Sequence, residues 1–401
     1  MSLRRIEQVL FFSCLIFLPT QLGKHFWPQF SLVYSLPIDY LSPTLYFWDI
    51  LILSLILIWV IHKPKINWTA VNLGLIFILT LLPSLISAVN IGAGLVQLFQ
   101  IMMSLLFGVY LASQNLEKIK KLLAVSLSLA VFYESIIAIL EFLSGSSLNI
   151  WILGERNFSL NTPAIATFNY LGQLFLRPYA TFPHPNVLGV FMVITLSLIW
   201  VFKDEFSRSW SFLNILLASL TTLLTFSRAT ILVLFVELLI GLKKRIKYLI
   251  IPIIILLPIL WIRYNSAFNF ESLSIVRREE LAGIALNDFG SSPIFGIGLN
   301  NFINRTSSSN LISGTSRFLQ PVHNIFLLSL AETGVLGFGG FILLLGFPVL
   351  KLWRGKDKKL NQTLLLIWAS IFFLGMFDHY FLTLPQGQRL LFLIWGLSML
   401  G

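Results

Sequence analysis

Charge is what this sequence has least of. Asp, Glu, Lys and Arg make up 11% of its 401 residues and hydrophobic residues 57%, whereas an ordinary soluble domain carries about 25% charged residues. A soluble fold is therefore excluded. Cysteine is scarcer still. Cys14, in an apolar run, is the only one, so no internal disulfide and no thiolate cluster for zinc or iron–sulfur chemistry can form. No D-x-D or H-E-x-x-H motif offers metal ligands, and the G-x-G at Gly296–Gly298 lacks the strand and helix of a dinucleotide site. No metal or cofactor is expected from these motifs. Internal repeats, Pro-rich linkers and low-complexity tracts are also missing, so residues 1–401 read as a single membrane domain.

What is present is a series of apolar runs near 6–20, 45–61, 69–89, 94–112, 119–143, 185–202, 210–226, 228–242, 247–262, 324–350, 363–383 and 389–401. At ~20 residues per span they fill the chain. They must be helices, because lipid gives the backbone no partners and no period-2 alternation suggests a barrel. The predicted fold is all-α: a polytopic integral membrane protein of about 12 transmembrane helices. The first run follows Arg4 and Arg5, but Pro19-Thr20-Gln21-Leu22 after it is no cleavage site, so it reads as an anchor.

The net charge of +11 comes from basic residues clustered between apolar runs, which fits membrane topology better than nucleic-acid binding. Assigning loops alternately puts 18 of the 28 basic residues on one side, among them Lys118, Lys120, Lys121, Lys243, Lys244 and Arg245. That side is cytoplasmic by the positive-inside rule. The other ten are Lys24 and nine arginines. Lysine suffices to hold a loop inside, whereas guanidinium is favoured where phosphate or carboxylate is gripped. The outer face thus reads as an anion-handling surface. It also owns the two long connections, 144–184 and 263–323, and long loops are usually functional.

Four stretches on that face carry candidate chemistry. In Arg177-Pro178-Tyr179-Ala180-Thr181-Phe182-Pro183-His184-Pro185-Asn186, prolines fix an extended backbone leading into a helix begun by His184 or Asn186. Its bland alternative is an interfacial cap with Arg177 reaching headgroups. Ser227-Arg228-Ala229 falls between apolar runs of about 17 and about 14 residues, and the shorter run reaches only about 21 Å across a ~30 Å core, which places Arg228 below the outer surface, where arginine is costly and usually functional. The alternative is one slightly bent helix with Arg228 paired to a carboxylate. Ser272 to Asp288 predicts a short helix lying on the membrane with Arg277 and Arg278 about 100° apart, Arg277 being favoured for the site and Arg278 for water. Finally Val322-His323-Asn324 opens a long helix, with Glu332-Thr333-Gly334 two to three turns down. A histidine there can serve as a general base, or be an interfacial residue bonded to a loop carbonyl. Glu332, about 13 Å deeper by helical rise, is expected to balance an arginine from another span. Glu134 and Glu141, seven apart on one face, can bind a cation or proton or be paired structurally, the latter being favoured, and Asp378, His379 and Arg389 are placed to rim the same cavity.

In order and spacing, Arg177 to Gly189, Ser227-Arg228-Ala229, Arg277 with Pro293 to Phe302, and His323 to Gly334 resemble the O-antigen ligase and polymerase superfamily, over roughly 160–350. The resemblance implies a metal-independent glycosyltransferase of the bacterial cytoplasmic membrane, multi-pass, with its site on the extracytoplasmic face. Such an enzyme moves a glycan from an undecaprenyl or other polyprenyl diphosphate carrier to an acceptor hydroxyl on a glycan, lipid or protein, in polysaccharide biosynthesis such as that of lipopolysaccharide. It implies His323 as catalytic base and Arg177 and Arg228, with Arg277, as diphosphate ligands; His184, Asn186, Asn324 and Glu332 would support them. Ala180 stands where relatives often have glycine. The expected partners are the lipid-linked donor, the acceptor and the bilayer, with no nucleic acid. The rival readings are a secondary transporter of an anionic solute, which would leave repeats and midplane polar residues in both halves, and a non-catalytic scaffold.

Overall fold

The structure, a computed structural model, describes residues 2–170, 172–242, 273–307, 319–355 and 358–400. The predicted span at 247–262, with Arg263 and Arg317, lies outside them. Helices stand at each of the other predicted spans: α1 (Leu3–Ile16), α2 (Phe47–Ile61), α3 (Trp68–Leu81), α4 (Ile91–Ala112), α5 (Leu116–Ser144), α6 (Pro185–Val201), α7 (Arg208–Leu224), α8 (Arg228–Leu242), then α9 (Leu273–Ser291) and α10 (Phe302–Ser307) in the second long connection, α11 (Ile325–Arg354), α12 (Lys358–Gly375), α13 (Tyr380–Thr383) and α14 (Pro385–Ser398). Among the described residues four helices are long and apolar enough to cross a membrane, Trp68–Leu85, Ile91–Ala112, Leu116–Ser144 and Ile325–Arg354. Phe47–Ile61, Pro185–Val201 and Lys359–Gly375 are apolar but shorter.

The all-α expectation needs one correction. Three short antiparallel pairs occur, Gly23–His25 with Thr44–Tyr46, Leu32–Val33 with Leu36–Pro37, and Thr167–Tyr170 with Gln173–Leu176. All lie in connections, where backbone groups without a helix must pair with another segment. The connection before α2, not singled out from sequence, is thereby a structured element.

The chain forms two compact units. The first comprises Met1–Leu22 and Leu116–Phe270. Here α5 packs on α1, α6 and α7, and α6 on α7 and α8. Almost every residue of α6 is buried, which fits its near-continuous apolar sequence. Its start combines a His184 cap with Pro185 in the first turn, where proline's missing N–H costs nothing.

The second unit comprises Gly23–Asn115 and Glu271–Gly401. Here α11 packs on α3, α9, α12 and α14, and α14 on α4. At that last crossing a Cβ on Gly396 would stand 2.6 Å from the Gly108 carbonyl oxygen. The two backbones meet because neither carries a side chain there. Asn67 caps α3 through the Ala70 N–H (3.1 Å) and also donates to the Met399 carbonyl (2.7 Å), tying the start of α3 to the end of α14.

The predicted long helix after His323 is broken. Gly334 has φ 61° and ψ −169° inside α11. Groups freed by the break are taken up by the Pro293–Gly298 loop: Val335 N donates to Pro293 O (2.9 Å), Ile297 N to Ala331 O (3.0 Å) and Gly298 N to Glu332 O (3.0 Å). A discontinuity in an apolar helix is tolerated where neighbouring protein satisfies the freed backbone. Leu281, Ile284, Ile297, Phe302, Val322 and Leu328 form the core beneath it.

Candidate functional site

In the first unit the strand pair Thr167–Tyr170 and Gln173–Leu176 delivers Arg177. The ring of Phe168 stacks on Phe226 at 3.7 Å between centroids. Phe226 has φ 50°, a left-handed conformation costly for an aromatic residue, and it separates α7 from α8. The alternative of a single bent helix is thus replaced by two helices and a strained turn. Arg177 is tied to that turn. Its Nε donates to the Thr225 carbonyl (2.7 Å) and its Nη2 to Asn186 Oδ1 (2.7 Å). Arg228 follows as the first residue of α8, with its side chain exposed. A helix N-terminus headed by a guanidinium suits an anion. Asn186, expected as a support, orients Arg177. His184 is the α6 cap, its Nδ1 accepting the Asn186 N–H (3.1 Å).

The Arg177–His184 segment is held by carboxylates of α5. Glu141 Oε2 accepts the N–H groups of Tyr179 and Ala180, both at 2.7 Å. Glu134 accepts from Thr181 N (3.1 Å) and from the Thr181 hydroxyl. The seven-residue spacing of these glutamates matches two points on one extended segment. Arg156 closes the other side, donating to the Pro183 carbonyl (2.7 Å) and lying over the Tyr179 ring.

In the second unit Asn324 caps α11, its Oδ1 accepting the N–H groups of Phe326 and Leu327 (both 2.9 Å). The cap role falls to Asn324 and not to His323, unlike the first loop, where His184 itself is the cap. His323 is thereby left to face other groups. Its Nδ1 lies 3.4 Å from Asp378 Oδ1, an ion-pair separation rather than a formed hydrogen bond. Such contacts commonly tighten only when substrate binds. Its ring is 5.1 Å from that of His379, centroid to centroid. Asp378 and His379 sit in the turn between α12 and α13, and His379 is buried. Asp378 Oδ1 also accepts the His379 backbone N–H (2.9 Å).

Arg277 is buried and pairs with Glu280 at 2.7 Å on its own helix. Arg278, not Arg277, stands by the histidines, its Nη1 donating to Phe377 O (3.3 Å). Glu332 was expected to balance an arginine. Instead it accepts the backbone N–H of Phe302 (3.1 Å) and those of Asn300 and Asn301, holding the loop against the α11 break. Arg389 does not rim the histidine cluster; it is 1% exposed and lies over the rings of Tyr46 (5.0 Å) and Trp48 (4.6 Å). The sequence set Asp378 and His379 at the rim of the same cavity, and both stand beside His323; the specific pairing of Asp378 with His323, two groups on separate segments, had no local signal.

No curated protein matches the chain. Residues 213–342 match the family model described as O-antigen ligase, a segment that holds the Phe226–Arg228 turn, α9, His323 and the broken α11. That segment is similar to the O-antigen ligase family and supports a place for the protein in that superfamily, with a membrane glycan-ligating function.

Proposed function

We propose that the protein is a glycosyltransferase of about twelve spans that works on the extracytoplasmic face of a bacterial cytoplasmic membrane. It moves a glycan from a polyprenyl diphosphate to an acceptor hydroxyl, in polymerisation or ligation of a surface polysaccharide. The observation that carries this reading is the His323–Asp378 pair at the mouth of α11, in a chain whose 213–342 segment matches the O-antigen ligase family. In the proposed step His323 Nε2 takes the proton of the acceptor hydroxyl. The freed oxygen bonds to the anomeric carbon of the donor sugar, and the bond from that carbon to the diphosphate oxygen breaks, its electron pair leaving with the diphosphate. Asp378 keeps the proton on Nδ1 and so leaves the Nε2 lone pair for the acceptor, the orienting role carboxylates play beside catalytic histidines. Arg177 and Arg228 are assigned to the donor diphosphate, whose developing charge calls for fixed cations.

The test is transfer by the purified protein from a polyprenyl-diphosphate glycan to candidate acceptors. His323→Ala is expected to bind donor normally and lose turnover by about 10² to 10⁴-fold, the usual contribution of a general base. Asp378→Asn, acting through the histidine, should lower kcat with little change in KM for the donor. Near-normal transfer by His323→Ala at equal expression leaves the mechanism without its base and overturns it.

A further inference from the structure

The geometry points to a second use of the same histidine: His323, Asp378 and His379 form a binding site for a zinc-like divalent cation, and its occupation switches the base off. His323 Nδ1, Asp378 Oδ1 and His379 Nε2 lie within 4.8 Å of one another. Two of the separations are 3.4 Å and 3.8 Å. Ligand atoms about 2.0–2.1 Å from a tetrahedral zinc stand about 3.4 Å apart. One edge of the triangle is therefore at the spacing for zinc and another is close to it.

His379 is placed for ligation. Its Nδ1 is hydrogen-bonded to the Thr383 hydroxyl (2.6 Å), and its Nε2 faces Asp378 Oδ1 across 3.8 Å. A cation held between Nε2 and the carboxylate fixes the imidazole proton on Nδ1, where the Thr383 oxygen accepts it. A non-ligating nitrogen held by a hydrogen bond is the usual support of a metal-binding histidine. Three protein ligands with His323 partly open to solvent leave a fourth position for water. The nearby Arg278 works against the ion, and being exposed it does so weakly.

Base and ligand roles exclude each other. As a base, His323 carries its proton on Nδ1 and its lone pair on Nε2. A metal on Nδ1 moves the proton to Nε2, and no lone pair remains for the acceptor hydroxyl. Zinc is thus an inhibitor rather than a cofactor.

This inference rests on the proposed function only for its effect on turnover, so the experiment has a separate binding arm. Full-length, untagged protein is stripped with a chelator and titrated with Co²⁺, reading the visible d–d bands of a four-coordinate site. Wild type is expected to bind a single equivalent, displaced by Zn²⁺. His379→Ala should lose it, His184→Ala should keep it, and Thr383→Val should bind about 10–100-fold more weakly. Arg278→Gln should bind more tightly, an outcome that no misfolded variant gives. In the transfer assay Zn²⁺ should inhibit wild type reversibly and spare His379→Ala, while chelation alone costs no turnover. Absence of Co²⁺ bands, or bands unchanged in His379→Ala, overturns the site. Co²⁺ binding as expected with a fully active His323→Ala keeps the site and removes the base reading instead.

Discussion

At the residue scale the two loops show how a neighbour decides what a side chain can do. His184 and His323 each stand at the mouth of a helix after a long loop, yet His184 accepts the Asn186 N–H, whereas Asn324 takes that duty beside His323. Arg177 shows the same principle for a cation. Its Nε and Nη2 are directed by Thr225 and Asn186, a fork that lysine cannot reproduce. Arg177→Lys is therefore expected to keep charge but weaken donor binding by about 1.5–3 kcal/mol, the worth of hydrogen bonds to a charged group. Equilibrium binding of a polyprenyl-diphosphate glycan measures it, and unchanged affinity would take Arg177 out of that role. Ala180 has φ 49°, which explains why glycine suits this position. Ala180→Gly removes left-handed strain of about 1–2 kcal/mol and adds unfolded-state entropy worth about half of that. The expected outcome is a small rise in the thermal unfolding midpoint, by about 1 kcal/mol or less in stability.

At the element scale the break in α11 joins fold to site. His323 immediately precedes the Asn324 cap of that helix, whose middle is locked to the Pro293–Gly298 loop by backbone bonds on both sides of Gly334. A Cβ at Gly334 would meet the Ile294 carbonyl oxygen at 2.3 Å, in a backbone conformation that L residues avoid. Gly334→Ala must then either strain the break, at about 1–3 kcal/mol, or straighten the helix and expel the loop. Both predict a lower unfolding midpoint. The second also predicts faster hydrogen exchange at Ile297 and Gly298, whose N–H groups depend on the break. Wild-type stability and exchange in Gly334→Ala would show that the break is not needed.

At the scale of the whole molecule the distribution of charge makes the firmest forecast. With 18 of 28 basic residues assigned inside, residues 144–184 are expected outside. Asn161 is exposed in that connection. In a background where Cys14 is replaced by serine, Asn161→Cys is expected to react with an impermeant maleimide on intact cells. A cysteine at Lys118, in the predicted inner loop, should react only after the membrane is opened. The reverse pattern would invert the topology and move the proposed site to the cytoplasm.

Composition and run length alone determined that this is a helical membrane protein and where its described helices lie, because lipid leaves a backbone no option but to bond within its own segment. The sequence also marked where helices start or break: Arg177 to Asn186, the Arg228 turn and His323 to Gly334 all sit at such points, which proline, asparagine and glycine announce locally. The strand pairs were invisible, being two to four residues long and formed between parts of a connection with no periodic signal. So was the partner of each charged group. Glu332 finds backbone N–H groups and not an arginine, Arg277 finds Glu280, Arg389 finds two aromatic rings, and Asp378 meets His323. A buried charge takes whichever complementary group the packing brings near, and which segments pack together is decided by tertiary structure, not by any local pattern.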